Sequence, residues 1–332
     1  MAFRLIQTLL VLVLSGCTGG LPHHPDSAGI MPSAEGTVTS GVIESSALGV
    51  AKRFNIYLPE GYADSDLRYP VIYLVHGWGV DEDAWLSPGL DVKKVADNLN
   101  LQAIIVMPDG DRGTYVNSAT PVNYDECMND VYPVRNAQEP RQEFCVRTPN
   151  YERYMVEEIV PYIDGAYRTN VSRQARSIVG ESAGGLAAMH LALRHKDLFS
   201  SVAAHSGGVS MLYLPGSGKV LKTIEHRPGF EEWEAMFGLD IEGWRQYDPY
   251  SLLETLQPDE LAIYFDSGTD DEFAFLEMAL HFEYRLKELG LEHTFVAVPG
   301  GKHDDAFFGS RIPFSLEFHI EQFEKAGVYP EP

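Results

Sequence analysis

The chain has 332 residues, a length suited to one large α/β domain or two smaller ones. Hydrophobic residues make up 45%, aromatic residues 11% and charged residues 22%, which supports a sizeable core and excludes a disordered chain. With 48 acidic and 25 basic residues the formal net charge is −23, a surface that repels phosphate backbones and excludes a nucleic-acid partner.

At the N-terminus, Arg4 precedes a mostly apolar stretch, Leu5 to Leu14, that is far shorter than the roughly 20 residues of a membrane-spanning helix. A basic start, a short apolar run and small residues predict a signal peptide over 1–16. Leu14-Ser15-Gly16-Cys17 resembles a bacterial lipobox, which implies a lipidated Cys17 as the first mature residue. Thr18 follows in place of the Asp that retains such proteins at the inner membrane. The expectation is an exported protein tied to the outer membrane through its lipid alone. Residues 17–35, rich in Gly, Pro and Ser, read as a flexible tether, and 36–332 as one domain. Three cysteines are too few for a disulfide scaffold or a Cys-rich zinc module. In an oxidising compartment Cys127 and Cys145, which flank a loop-like stretch, are expected to pair, contributing about 3 kcal/mol in the chain-entropy model.

Within the domain, residues 53–58 alternate polar and apolar, which predicts an antiparallel strand facing water on one side. Unbroken apolar runs at 71–75 and 103–107 suit strands buried on both faces of a parallel sheet. Residues 177–180, 201–204, 261–265 and 294–298 repeat the pattern. Helices are predicted over 151–164, 182–194 and 275–290, the last closing on Gly290 as a C-cap. Such alternation implies an α/β fold with a mostly parallel twisted sheet and helices on both faces. Residues 209–260, with a helical signal at 231–238, form an excursion long enough to serve as a lid over a site. Asp81, Glu82 and Asp83 read as a solvated loop, and no metal or organic cofactor is implied.

Gly180-Glu181-Ser182-Ala183-Gly184 matches G-x-S-x-G, placed after a β-rich run and at the start of a Gly- and Ala-rich helix. A turn this tight needs little bulk around Ser182, and it lifts the hydroxyl off the sheet end as a candidate nucleophile. A serine needs a base and the base an orienting acid. In α/β-hydrolases these follow in the order serine, acid, histidine. His303 lies in a Gly-rich loop directly after the last apolar strand, where such a base belongs, whereas His190, His195 and His281 fall in helical stretches. Asp266, Asp270, Asp271 and Glu272 all follow or end the preceding strand, and the residues alone leave the choice open. An oxyanion hole needs two donors. The backbone N–H of Ala183 is one, and that of Trp78, in His76-Gly77-Trp78-Gly79, the other; the Trp78 ring could equally wall the acyl pocket.

These motifs, with Ile104-Ile105-Val106-Met107-Pro108-Asp109-Gly110 and Gly301-Lys302-His303-Asp304, resemble the esterase family of α/β-hydrolases. That family includes feruloyl esterases, S-formylglutathione hydrolase, siderophore esterases and mycobacterial mycolyltransferases. The resemblance spans roughly residues 40–325 and implies an α/β-hydrolase fold and ester hydrolysis through an acyl-enzyme. Its G-x-x-D pattern, here Gly268 to Asp271, favours Asp271 over Asp270 as the acid. Gly-Glu-Ser-Ala-Gly-Gly departs from the Gly-His-Ser-Met-Gly-Gly or Gly-Leu-Ser-Met-Gly-Gly common in the feruloyl and formylglutathione branches, which weakens the transfer of their substrates. Small-molecule or polysaccharide-linked esters are the expected substrates. An acyltransferase on the same residues, or a non-catalytic binding protein on this scaffold, are the rival readings.

Overall fold

The computed structural model describes residues 35–120, 124–129, 141–226 and 230–330. The expected signal peptide, Cys17 and all but the end of the tether lie outside the described residues. Ten strands are present among them: β1 (Thr37–Ser45), β2 (Val50–Leu58), β3 (Val71–Val75), β4 (Ile104–Pro108), β5 (Arg176–Glu181), β6 (Ser201–His205), β7 (Tyr213–Leu214), β8 (Lys219–Val220), β9 (Ala262–Gly268) and β10 (Thr294–Val298). Eight of them form one sheet in the order β1-β2-β4-β3-β5-β6-β9-β10. β2 pairs antiparallel with both β1 and β4, and every other pairing in that sheet is parallel. β7 and β8 form a separate antiparallel ribbon within the excursion.

The unbroken apolar runs have the double burial expected of them. Successive side chains of a strand point to opposite faces. Val71, Tyr73 and Val75 of β3 accordingly enter one core, and Ile72 and Leu74 the other. The first core packs beneath α2 (Val160–Ala166), α3 (Ala183–Arg194) and α5 (Phe275–Glu288), through residues such as Ile163, Leu191 and Phe282. The second packs beneath α1 (Val92–Asn98) and α6 (Asp305–Lys325), through Ala96, Ile312 and Leu316. The helix expected at 151–164 is one helical run through Ala166 whose middle, Tyr154–Ile159, is π-helical. Gly290 takes a left-handed φ of 66° just past α5, as its C-cap role predicts. Cys127 and Cys145 form the expected disulfide, with Cα atoms 5.7 Å apart.

Two expectations are corrected. Residues 54–57 of β2 are all buried and only Arg53 is exposed, so the strand does not present one face to water. Its polar members point at polar partners instead: Asn55 Nδ2 donates to the Glu82 carbonyl and to Asp83 Oδ1, and the Tyr57 hydroxyl donates to Asp97 Oδ1 on α1. For the same reason Glu82 is not a solvated loop residue. It is buried, and burial followed by the charge of Asp109 pushes its carboxyl up to about 7.

Candidate active site

β5 delivers Ser182 at its C-terminal end. Ser182 has φ 55° and ψ −121°, a backbone conformation that side chains rarely adopt and that costs of order 1–3 kcal/mol. The surroundings enforce it. A Cβ at Gly180 would overlap the Gly184 carbonyl, and one at Gly184 the Val75 carbonyl, so only glycine lets the turn close. The Ser182 carbonyl then accepts from Gly185 and Leu186 as α3 begins.

The loops after β9 and β10 meet over this turn. Thr269 N–H donates to the Val298 carbonyl and Asp270 N–H to the Gly301 carbonyl, with Gly268 and Gly301 backbone to backbone. That docking sets His303 between the other two side chains. His303 Nε2 is 2.9 Å from Ser182 Oγ, and His303 Nδ1 is 3.0 Å from Asp271 Oδ2. Burial pushes the Asp271 carboxyl up, but the His303 hydrogen bond and charge, the Phe273 N–H and the Ser206 hydroxyl outweigh it and hold it below the ordinary range. An ionised Asp271 only accepts, so His303 Nδ1 carries the proton and Nε2 is free to accept from Ser182.

The remaining acids lie elsewhere. Asp270 is exposed and accepts only from Thr269 Oγ1, at 3.2 Å. Glu272 accepts from the His303 backbone N–H at 3.3 Å and not from its ring. Asp266 belongs to a second histidine: both of its oxygens lie 3.0 Å from His205 Nδ1, Arg311 Nε donates to it, and His205 Nε2 meets Ser315 Oγ at 3.0 Å. That set has the same residue types, but His205 and Ser315 are wholly buried, so it ties β6 and β9 to α6 and is closed to substrate.

β3 lies beside β5, with Val75 opposite Gly180, which brings the 76–79 loop alongside Ser182. Among the described residues the backbone N–H groups of Trp78 and Ala183 donate to no protein acceptor. The loop itself is held from two sides. Gly77 N–H donates to Glu181 Oε1 at 2.5 Å, and the Gly77 carbonyl accepts from His76 Nδ1 at 2.9 Å. His76 Nε2 in turn accepts from Gly110 N–H at 3.0 Å, which leaves the proton on Nδ1. Burial pushes the Glu181 carboxyl up, offset in part by the Gly77 N–H, His76 and His303.

The Trp78 ring stacks on Trp233 of α4 (Glu231–Phe237), with centroids 5.2 Å apart and planes 7° apart. Arg112 lies over Trp78 and pairs with Glu232. The 209–260 excursion thus packs against the 76–79 loop. Glu181, Trp233 and the phenylalanines around His303 were not anticipated. For Glu181 the available signal was an acid at the second position of G-x-S-x-G; for Trp233 it was a lone tryptophan in the excursion.

The family model described as "Putative esterase" matches residues 45–316. The chain belongs to this family. Among curated members, esterase Rv1288 of Mycobacterium tuberculosis (strain ATCC 25618 / H37Rv) is 28% identical over 276 residues, covering 78% of this chain and 54% of that protein. The chain therefore spans about half the length of the curated relatives it matches. Among solved structures, an S-formylglutathione hydrolase from Agrobacterium tumefaciens superposes with a TM-score of 0.66 at 21% identity, covering 88% of this chain and 97% of that one. A ferulic acid esterase gives 0.64 at 22% identity, covering 87% and 100%. Both establish the α/β-hydrolase fold of this esterase-family chain.

Proposed function

We propose that the protein is a serine carboxylesterase that works through a Ser182–His303–Asp271 triad and an acyl-enzyme. The observation that carries this reading is Ser182 Oγ at 2.9 Å from a His303 ring whose other nitrogen is held by an ionised Asp271. His303 Nε2 takes the hydroxyl proton as Ser182 Oγ attacks the ester carbonyl. Asp271 keeps the imidazole in the required tautomer and stabilises the imidazolium. The N–H groups of Trp78 and Ala183 receive the developing oxyanion; losing one such donor costs about 10²–10³ in kcat. The intermediate collapses, the C–O bond breaks, and His303 returns the proton to the departing alkoxide. Water then attacks the acyl-enzyme and gives its proton to His303; the bond to Ser182 Oγ breaks, Oγ takes that proton back from His303, and the acid leaves. The strained Ser182 backbone supports this reading, since such strain concentrates at functional sites.

The test is hydrolysis of p-nitrophenyl acetate and butyrate by Ser182→Ala. A loss of about 10⁴-fold or more is expected, and full retention would overturn the mechanism. Product analysis with an added acceptor alcohol separates hydrolysis, which yields free acid, from acyl transfer, which yields a new ester. We further propose that the mature chain is lipid-anchored through Cys17, on the strength of the residues 14–17 pattern. Cys17→Ser should move the protein from the membrane fraction to the soluble one; unchanged fractionation would sink that proposal.

A further inference from the structure

The His303 ring is enclosed by aromatic carbon. Phe273 meets it at 4.8 Å between centroids with planes 72° apart, Phe275 at 5.0 Å and Phe308 at 5.1 Å. The three phenylalanines differ in exposure. Phe308 is buried against Phe307, whereas Phe273 is 60% exposed and the ring of Phe275 lies partly open beside it. The placement of the two open rings is built in. Ala274 between them has φ 61°, a left-handed conformation that an alanine adopts at a cost. This turn lets residues 273 and 275, neighbours that would diverge on a regular helix, both meet the imidazole. The Phe273 N–H also donates to Asp271 Oδ1 at 2.9 Å, so the carboxylate that holds His303 holds this platform too.

In the hydrolysis proposed above, on which this inference rests, His303 Nε2 delivers the proton to the departing alkoxide. The alcohol oxygen must therefore come within about 2.6–3.2 Å of that nitrogen. The carbon skeleton attached to it passes beside His303, whose partly exposed aromatic neighbours are Phe273 and Phe275.

We propose that Phe273 and Phe275 form the leaving-group subsite, which selects esters of ring-bearing alcohols over esters of short alkyl ones. A benzyl or similar group can lie against the two rings in the offset or edge-on arrangements aromatic pairs prefer, and removes exposed apolar surface from water.

The test compares benzyl acetate with ethyl acetate on the purified protein. The two share an acyl group, so they share the acyl-enzyme and its hydrolysis, and their alcohols have similar acidity. A difference in kcat/KM therefore reports recognition of the alcohol during acylation. Benzyl acetate is expected to be favoured by about tenfold, the order of one aromatic contact. In Phe273→Ser, at an exposed position that folding tolerates, the ratio is expected to fall to near one. If Phe273 only orients His303, the variant slows both esters in proportion and keeps the wild-type ratio, and the subsite is refuted. A wild-type ratio near one refutes it as well, with the hydrolase reading intact. Absence of turnover on both esters would instead bring down that reading and the subsite together.

Discussion

Glu181 offers a sharp test of how the 76–79 loop, the proposed oxyanion loop, is held. Its carboxylate accepts the Gly77 N–H at 2.5 Å, one peptide away from the Trp78 N–H, and the pair is buried. Replacing Glu181 by Ala leaves the Gly77 N–H without its acceptor, and the loop then keeps the His76 Nδ1 bond to the Gly77 carbonyl and the Trp78 stack on Trp233. A hydrogen bond to a charged group is worth about 1.5–3 kcal/mol. At about 1.4 kcal/mol per factor of ten, kcat should fall by between about ten- and 150-fold, while KM changes little. Glu181→Gln keeps an acceptor oxygen and should recover most of that loss. The assay is kcat and KM on p-nitrophenyl acetate together with the affinity of phenylboronic acid, whose tetrahedral adduct on Ser182 uses the same donors. Boronate affinity and kcat should weaken in parallel in the alanine variant. If Glu181→Ala keeps kcat within about twofold, the carboxylate does not position the loop and the reasoning fails.

Two further expectations follow from the same geometry. Asp271→Asn should lower kcat by about 10³–10⁴-fold, because the amide can hold the wrong imidazole tautomer. Asp270→Asn, whose side chain touches only Thr269, should stay within about twofold, and reversed results would move the orienting role. At Glu152, burial pushes the carboxyl up, but hydrogen bonds from His195 and Arg194 outweigh it and bring it down to about 2. A pKa lowered on folding contributes stability above the unfolded value and loses it as pH falls through the folded one. Glu152 should therefore contribute roughly 3 kcal/mol near neutral pH. The urea-unfolding gap between wild type and Glu152→Gln should narrow by roughly half at pH 3; a gap that stays constant contradicts the assignment.

Much of this architecture could be read from local pattern, and the failures share a cause. Apolar runs such as 71–75 and 104–107 announce burial on both faces without knowledge of their neighbours. The serine turn carries its own steric signature in Gly180 and Gly184. Asp271 is less local: the residues leave four acids open, the family resemblance favours one, and the docking of the β9 and β10 loops sets that one 3.0 Å from His303 Nδ1. What stayed hidden depends on contacts between distant segments. Glu181 reaches Gly77 across 104 positions, through the adjacency of β5 and β3. Trp233 meets Trp78 only because the excursion folds back over the sheet end. The alternation in β2 was misread for the same reason, since Asn55 and Tyr57 satisfy their polar atoms on Glu82, Asp83 and Asp97 and not on water. The 21-residue helix α6 went unpredicted with Pro313 inside it, a residue that normally ends a helix.

On the proposed mechanism Ser182 is a nucleophile activated by His303. The most direct measurement of this is labelling with a fluorophosphonate, followed by mass mapping of the modified peptide. One adduct is expected, on Ser182, formed quickly by the wild type and at least about a hundredfold more slowly by His303→Ala. An esterolytically active preparation in which Ser182 stays unlabelled, or in which the adduct maps to another residue, would contradict the account.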